Sequence, residues 1–376
     1  MSSGRSYFGL FRLLSAATLL ALPIFWPQTG LAQGRTGDVY VLTNQSTGNS
    51  VVVFHRDTAG MLTFAGSFAS GGNGAGAGLG SQGAVVLSDD NRLLFAVNAG
   101  SNSISVFGVS GDQLTLLNTV SSGGVLPVSV TARHNLVYVL NAGGTPNISG
   151  FAISPSTNWL VPLAVSTQAL PGGAGAGPAQ VSFSPDGSVL VVIEKGTNLI
   201  DTFTVGDDGV AQPGVSFASN GTTPFGFAFG HDNVVIVSEA FGGAPEASAL
   251  SSYEVDENGS LVVVTPSLAD TQTAACWVVV PENGRFAYTS NTGSGIISSY
   301  IVSDGGSLAL LNAAAASTGN RSAPTDMAFS DNSRFLYILN SGSGAISGFR
   351  VQANGSLTPV TSATGLPASA AGIAAR

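Results

Sequence analysis

Short runs of apolar residues recur along this chain, each ending on a polar or acidic residue and leading through a turn into a second, more alternating run. The anchors are Tyr40 to Asn44, Phe95 to Asn98, Tyr138 to Asn141, Val191 to Glu194, Val235 to Glu239, Tyr288 to Asn291 and Tyr337 to Asn340. Successive anchor ends lie 54, 43, 53, 45, 52 and 49 residues apart, the period of a propeller blade rather than of a helical solenoid. Within one repeat the pattern predicts four strands: Ala84 to Ser88, Leu93 to Ala99, Ser103 to Val109 and Leu114 to Val120. Polar turns separate them at Asp89-Asp90-Asn91, Gly100-Ser101-Asn102 and Ser110-Gly111-Asp112.

The first two strands of each repeat are almost continuously apolar, as strands covered on both faces must be. The third and fourth alternate, as in Ile346-Ser347-Gly348-Phe349-Arg350-Val351, and therefore belong further out, with the central channel beside the first strand. The first repeat opens at Asp38 directly with a second strand, and Ala368 to Ala375 at the other end is a first strand without a blade. The pattern thus predicts an all-β, seven-bladed β-propeller of four-stranded antiparallel blades, with the C-terminal strand closing the ring.

Ahead of the repeats, Arg5 and Arg12, an apolar stretch from Leu13 to Trp26 and the small-x-Ala site Gly30-Leu31-Ala32 read as a secretory signal over residues 1–32. The alternative is an uncleaved anchor, but the run is short and broken by Pro23 and Pro27. Residues 33–376 then form one propeller domain, secreted or periplasmic, with no later membrane span. A single cysteine, Cys276, precludes an internal disulfide and reads as a buried structural thiol.

Charge narrows the partners. The chain has 50 glycines, only 9% charged residues, one lysine (Lys195) and a net charge of -9, which disfavours nucleic acid. His55, His134 and His231 fall at a strand end and in two turns without metal-ligand spacing, and no cofactor or metal is expected. The glycine runs Gly71 to Gly78 and Gly172 to Gly177 lack the Lys-Ser/Thr and helix of a phosphate loop and are expected to be flexible loops rimming the channel.

The Ser184-Pro185-Asp186-Gly187 turn, the Tyr-Val-x-Asn strands and the turns Asn258-Gly259-Ser260-Leu261 and Asn354-Gly355-Ser356-Leu357 resemble the seven-bladed lactonase-like propellers, which include 6-phosphogluconolactonase and carboxymuconate cyclase, and are shared with YVTN-repeat surface proteins. That resemblance implies chemistry at the channel mouth, where the family has a Gly-Pro-Arg-His segment followed by an acidic strand end. Here the segment is Gly177-Pro178-Ala179-Gln180, and Glu194 matches the acid. Aligning the strand starts places Gln180, Glu194, Glu239, Trp277, Arg321 and Asp326 at that mouth. Glu194 or Asp326 would act as base and Arg321 would steady an oxyanion, with Gln180, Glu239 and Trp277 binding ligand. Two functions are expected to compete: a monomeric exported hydrolase opening a lactone or cyclic ester, and a non-catalytic exported propeller binding a small molecule, a carbohydrate or a protein.

Overall fold

The computed structural model describes residues 36–376 together with Met1, Gly4 and Arg5; the export-signal reading, which rests on Arg12 and residues 13–32, lies outside the described residues. Seven sheets form the ring. Blade 1 comprises Gly37–Leu42, Ser50–Arg56 and Leu62–Ala69, and blade 2 Val85–Leu87, Leu93–Asn98, Ser103–Ser110 and Gln113–Ser121. The inner strands of blades 3 to 7 are Val125–Arg133, Pro178–Phe183, Pro224–Phe229, Ala275–Val279 and Pro324–Phe329. Blade 3 departs from the repeat: its outer edge is split into Leu160–Pro162 and Gln168–Ala169, which pair with opposite ends of Asn147–Ile153.

The C-terminal strand completes blade 1. Ile373–Ala375 lies inside Gly37–Leu42 in antiparallel register, Val41 opposite Ile373 and Val39 opposite Ala375. The Arg376 guanidinium reaches the buried Asp38 carboxylate at 2.7 Å, and its carbonyl accepts from Arg56 at 2.9 Å. The first and last described strands are thereby tied into one sheet, and blade 1 keeps no unpaired second strand.

Burial follows the depth order expected from the pattern. Every residue of the second strands Leu93–Asn98, Val189–Glu194, Val234–Glu239, Phe286–Asn291 and Phe335–Asn340 is buried, whereas outer strands such as Leu357–Thr364 mix half-buried and exposed residues. The recurring tyrosine has a specific duty. Tyr138, Tyr288 and Tyr337 donate their hydroxyls to the carbonyls of Gly209, Gly355 and Gly60 at 2.7, 2.9 and 2.9 Å, each in the outer turn of the next blade. Those glycines have φ of 78°, 81° and 93°, a region other residues enter only with strain. Tyrosine and Gly turn are thus the two halves of an inter-blade clasp, which satisfies a buried hydroxyl while setting the blade spacing. In blades 4 and 5 Thr202 and Ser252 make the same bond to Gly259 and Gly306.

Candidate functional site

Inner strands of blades 4, 5 and 7 each begin at a proline, Pro178, Pro224 and Pro324, and that of blade 3 carries Pro127 as its third residue; a register shift follows each of the four. Proline suits a strand start because it has no N–H to offer a ladder. The shift aims the next residues at the axis, and equivalent positions are Ala84, Ser129, Gln180, Gly226, Trp277 and Asp326, of which the sequence alignment places Gln180, Trp277 and Asp326 at the mouth.

The space between them is filled. Gly80 to Gly83, arriving from blade 1, crosses this end of the channel as a plug. The Gly80 carbonyl accepts from Lys195 Nζ at 2.6 Å, and the Ser81 carbonyl from Trp277 Nε1 at 2.9 Å. Ser81 Oγ donates to Val128 O at 2.7 Å. Gln82 N donates to Ala179 O at 3.0 Å, while its side-chain amide bonds both N and O of Val278, at 3.3 and 2.9 Å. Gly83 N donates to Asp326 Oδ2 at 3.2 Å, and its carbonyl accepts from Val130 N at 2.8 Å. Blades 3, 4, 6 and 7 all hold the segment, and blade 5 leaves room for it: a Cβ on Gly226 would lie 2.3 Å from Gln82 Oε1.

The glycine runs are accordingly pinned, a correction to their expected flexibility. Gly74 N and Gly76 N donate to Gln45 and Asn44 carbonyls at 2.7 and 2.8 Å, and Gly196 N bonds Ala176 O at 2.9 Å. These backbone groups find partners because the missing Cβ lets chains approach closely.

Of the expected cluster, the structure brings Gln180, Trp277 and Asp326 together and engages all three. Gln180 pairs its amide with Phe227, Nε2 to O at 2.9 Å and Oε1 from N at 2.7 Å. Trp277 and Asp326 hold the plug. Asp326 also accepts from Met327 N and Ile373 N at 2.8 and 3.4 Å. Burial pushes its carboxyl up to about 7 against the pull of these three N–H groups.

The other three go elsewhere. Glu194 is turned into blade 4, where Oε1 accepts from Gly172 N at 3.0 Å, Oε2 from Thr197 Oγ1, and Asp201 stands beside it. Asp201 is raised well above the carboxylate range, first by burial and then by its bond to Glu194. Glu239 is likewise closed inside blade 5 by Gly221 N at 2.8 Å and the hydroxyls of Ser251 and Ser267. Arg321 is exposed in the loop between blades 6 and 7 with φ of 57°. Neither glutamate offers a free base, and Arg321 makes no bond to the Asp326 carboxyl.

A strand-end acid takes the place that asparagine has in other blades, where Asn98, Asn291 and Asn340 donate to Ser105, Ser298 and Ser347 at 2.8, 2.9 and 2.9 Å. The spacing of seven residues in all three, and in Glu194 with Asp201, was the available signal for a buried pair. Lys195 and Gln82 also escaped the sequence reading. Burial draws the Lys195 ammonium down to about 8, with Cys276 opposing; it faces two carbonyls and lies 4.7 Å above the Phe225 ring. Burial pushes the Cys276 thiol up to about 11, as suits a structural residue.

What remains open on this face is a cavity of about 160 Å³ lined by Leu79, Trp277, Thr325, Asp326, Ser341 and Gly372 among others. It offers one carboxyl near neutrality and an indole, without a cation to receive an oxyanion. Among the described residues no group of His, Cys, Asp and Glu is arranged to hold a metal ion, and no helix is long and apolar enough to cross a membrane.

Three solved structures show the same fold. A Lactobacillus plantarum protein is similar at 18% identity, covering 91% of this chain and 100% of that one, with TM-score 0.72. A putative 6-phosphogluconolactonase from Bacteroides uniformis matches at 18% identity, 90% and 99% coverage and TM-score 0.70. The periplasmic gluconolactonase of Pseudomonas aeruginosa matches at 17%, 90% and 98%, also with TM-score 0.70. No curated protein matches the sequence. The family model described as lactonase, 7-bladed beta-propeller, matches residues 39–169 and 247–371, and the interval it leaves unmatched contains blade 4 and the inner half of blade 5, where Ala179, Gln180 and Glu194 stand. With the propeller, its closure and two thirds of the chain in agreement, the protein belongs to the lactonase family of seven-bladed β-propellers.

Proposed function

We propose that this chain is an exported lactonase-family propeller that has given up ring-opening at the family's usual position and acts as a binding protein. The observation that carries this reading is the plug: Trp277 and Asp326 are engaged with Ser81 and Gly83, and Gln180 with Phe227. Ala179 and Gln180 replace the Arg and His that the resemblance leads one to expect, and Glu194 is engaged inside blade 4 by Gly172 N and Thr197 Oγ1. A hydrolase needs a base with access to water and a positive or N–H-lined seat for the oxyanion; here the donors are spent on the protein itself. Export rests on the leader-like first 32 residues and accords with a structural neighbour named a periplasmic gluconolactonase.

A second reading is favoured by Asp326 alone, whose carboxyl near neutrality faces the 160 Å³ cavity beside Trp277. Purified residues 33–376 tested on a panel of five- and six-membered lactones, with and without Asp326→Asn, separates the two. The binding reading expects hydrolysis indistinguishable from buffer. Turnover that falls about 100-fold or more in Asp326→Asn would make the protein a lactonase working through that carboxyl. Fractionation of the producing cells tests export, with retention of full-length chain in the cytoplasm as the contrary result.

A further inference from the structure

The plug closes only one end of the channel. Below it the axis stays open to the face that carries the inner turns, as two adjoining spaces of about 460 and 420 Å³ that share Gln82, Asp89 and Gln180 among their walls. The result is a blind channel, with Gln82, Gln180 and Asp326 at its closed end.

Its walls have unused backbone. In an antiparallel ladder every second residue of an edge strand turns its N–H and C=O away from its partner, and in a propeller that edge faces the axis. Val130, Phe227 and Val278 are such residues, and they are taken up by Gly83 and by the amides of Gln180 and Gln82. Two residues further along, in phase, are Ala132, Phe229 and Val280, which line the open channel. The plug is therefore a worked precedent: an extended segment of polypeptide already satisfies the same strand edges one step deeper.

Side chains and charge select among extended ligands. Phe183, Phe229 and Phe329 give aromatic surface to the wall. The channel-lining acids are Asp89, Asp326 and Asp331, against Arg133, which is already 3.5 Å from Asp89. Asp326 lies at the closed end, buried, bonded to three backbone N–H groups and to no cation, and a buried carboxylate is stable mainly when paired.

We propose that this blind channel binds the free amino terminus of an extended peptide bearing apolar or aromatic side chains. The α-ammonium seats toward Asp326, main-chain groups pair with the edges at Ala132, Phe229 and Val280, and side chains pack on the phenylalanines, as in recognition by strand addition. The proposal rests on the binding reading above and gives it a site and a ligand class.

The test uses residues 33–376 and the peptide Ala-Phe-Val-Phe carrying a fluorophore on an added C-terminal lysine, read by anisotropy. Saturable one-to-one binding is expected, weakened tenfold or more by acetylating the peptide's amino terminus and abolished by Ala328→Trp, which fills the channel away from the plug. Thermal melting of Ala328→Trp confirms that it folds, and Ser182→Trp repeats the block from blade 4 should it not. Binding unaffected by acetylation or by both blocking variants overturns the proposal. So does channel-dependent binding of cellotriose in place of the peptide, which would assign the site to carbohydrate. Absence of peptide binding together with absence of lactone turnover overturns this site while leaving the non-catalytic reading intact; lactone turnover lost in Asp326→Asn overturns that reading itself.

Discussion

Lys195 Nζ lies 2.6 Å from the carbonyl oxygen of Gly80, so the chain's only lysine is a latch on the segment that closes the channel. The ammonium has two carbonyls and an aromatic ring around it and, among the described residues, no carboxylate within ion-pair distance. Lys195→Met retains most of the stem and its packing on Phe225 but deletes the donors. A hydrogen bond from a charged donor contributes about 1.5–3 kcal/mol, and that loss falls on the plug rather than on the blades. We expect amide hydrogen exchange in residues 79–83 to speed up tenfold or more with little change in the blade strands. Equal protection of the plug in both proteins would show that Gln82 and Asp326 hold it without the lysine.

Asp326 gives the fold an unusual pH dependence. Its carboxyl titrates near 7 when folded against 3.8 for the unfolded reference, because burial favours the neutral form. The folded state therefore holds the extra proton between those values, and stability falls as pH rises from about 4 to 7, by at most about 1.4 kcal/mol per unit, then levels off. The raised Asp201 acts in the same direction. Melting temperature measured from pH 4 to 8 should decline on this account, and Asp326→Asn should flatten the profile. Parallel profiles for the two proteins would contradict the assignment.

The ring was legible in the sequence because blade architecture is written in local chemistry: apolar continuity for buried strands, glycine for positive φ, and an orphan first strand at Ala368 to Ala375. Gln180, Trp277 and Asp326 were also placed correctly at the axis, since register follows from the strand pattern. The failures share a cause. Whether Glu194 faces the channel or the blade depends on its third-strand partner Asp201 and on Gly172 from the preceding loop. Those contacts are not local. Likewise Gln82, in a glycine-rich stretch, shows nothing that marks it as the residue bonding Val278 across the axis.

The Glu194 and Asp201 pair should behave as a structural unit. Asp201→Asn supplies a permanent donor where the aspartic acid needs a proton. It should leave stability unchanged at pH 5 and raise it at pH 8. Glu194→Ala instead strands Gly172 N and Asp201 in a buried site, costing about 2–4 kcal/mol. Urea titrations at both pH values decide the matter; a harmless Glu194→Ala would mean that the pair carries no structural weight.

Closure of the ring can be weakened in steps. Ile373 is buried, faces Val41 across the sheet and offers its N–H to Asp326, so Ile373→Ala removes side-chain packing while sparing the strand's bonds. Large-to-small changes of this kind cost about 2–5 kcal/mol. Deleting residues 367–376 goes further. It uncovers the inner edge of Gly37–Leu42, strips Asp38 of Arg376, and leaves Arg56 without the Arg376 carbonyl. A buried carboxylate that loses its partner is itself costly, and an open propeller presents a strand edge to other chains. The point variant should therefore melt lower but remain monodisperse, whereas the truncation should aggregate or fail to fold. If the truncated protein melts with the full-length one, the C-terminal strand is an ornament of blade 1 rather than its lock.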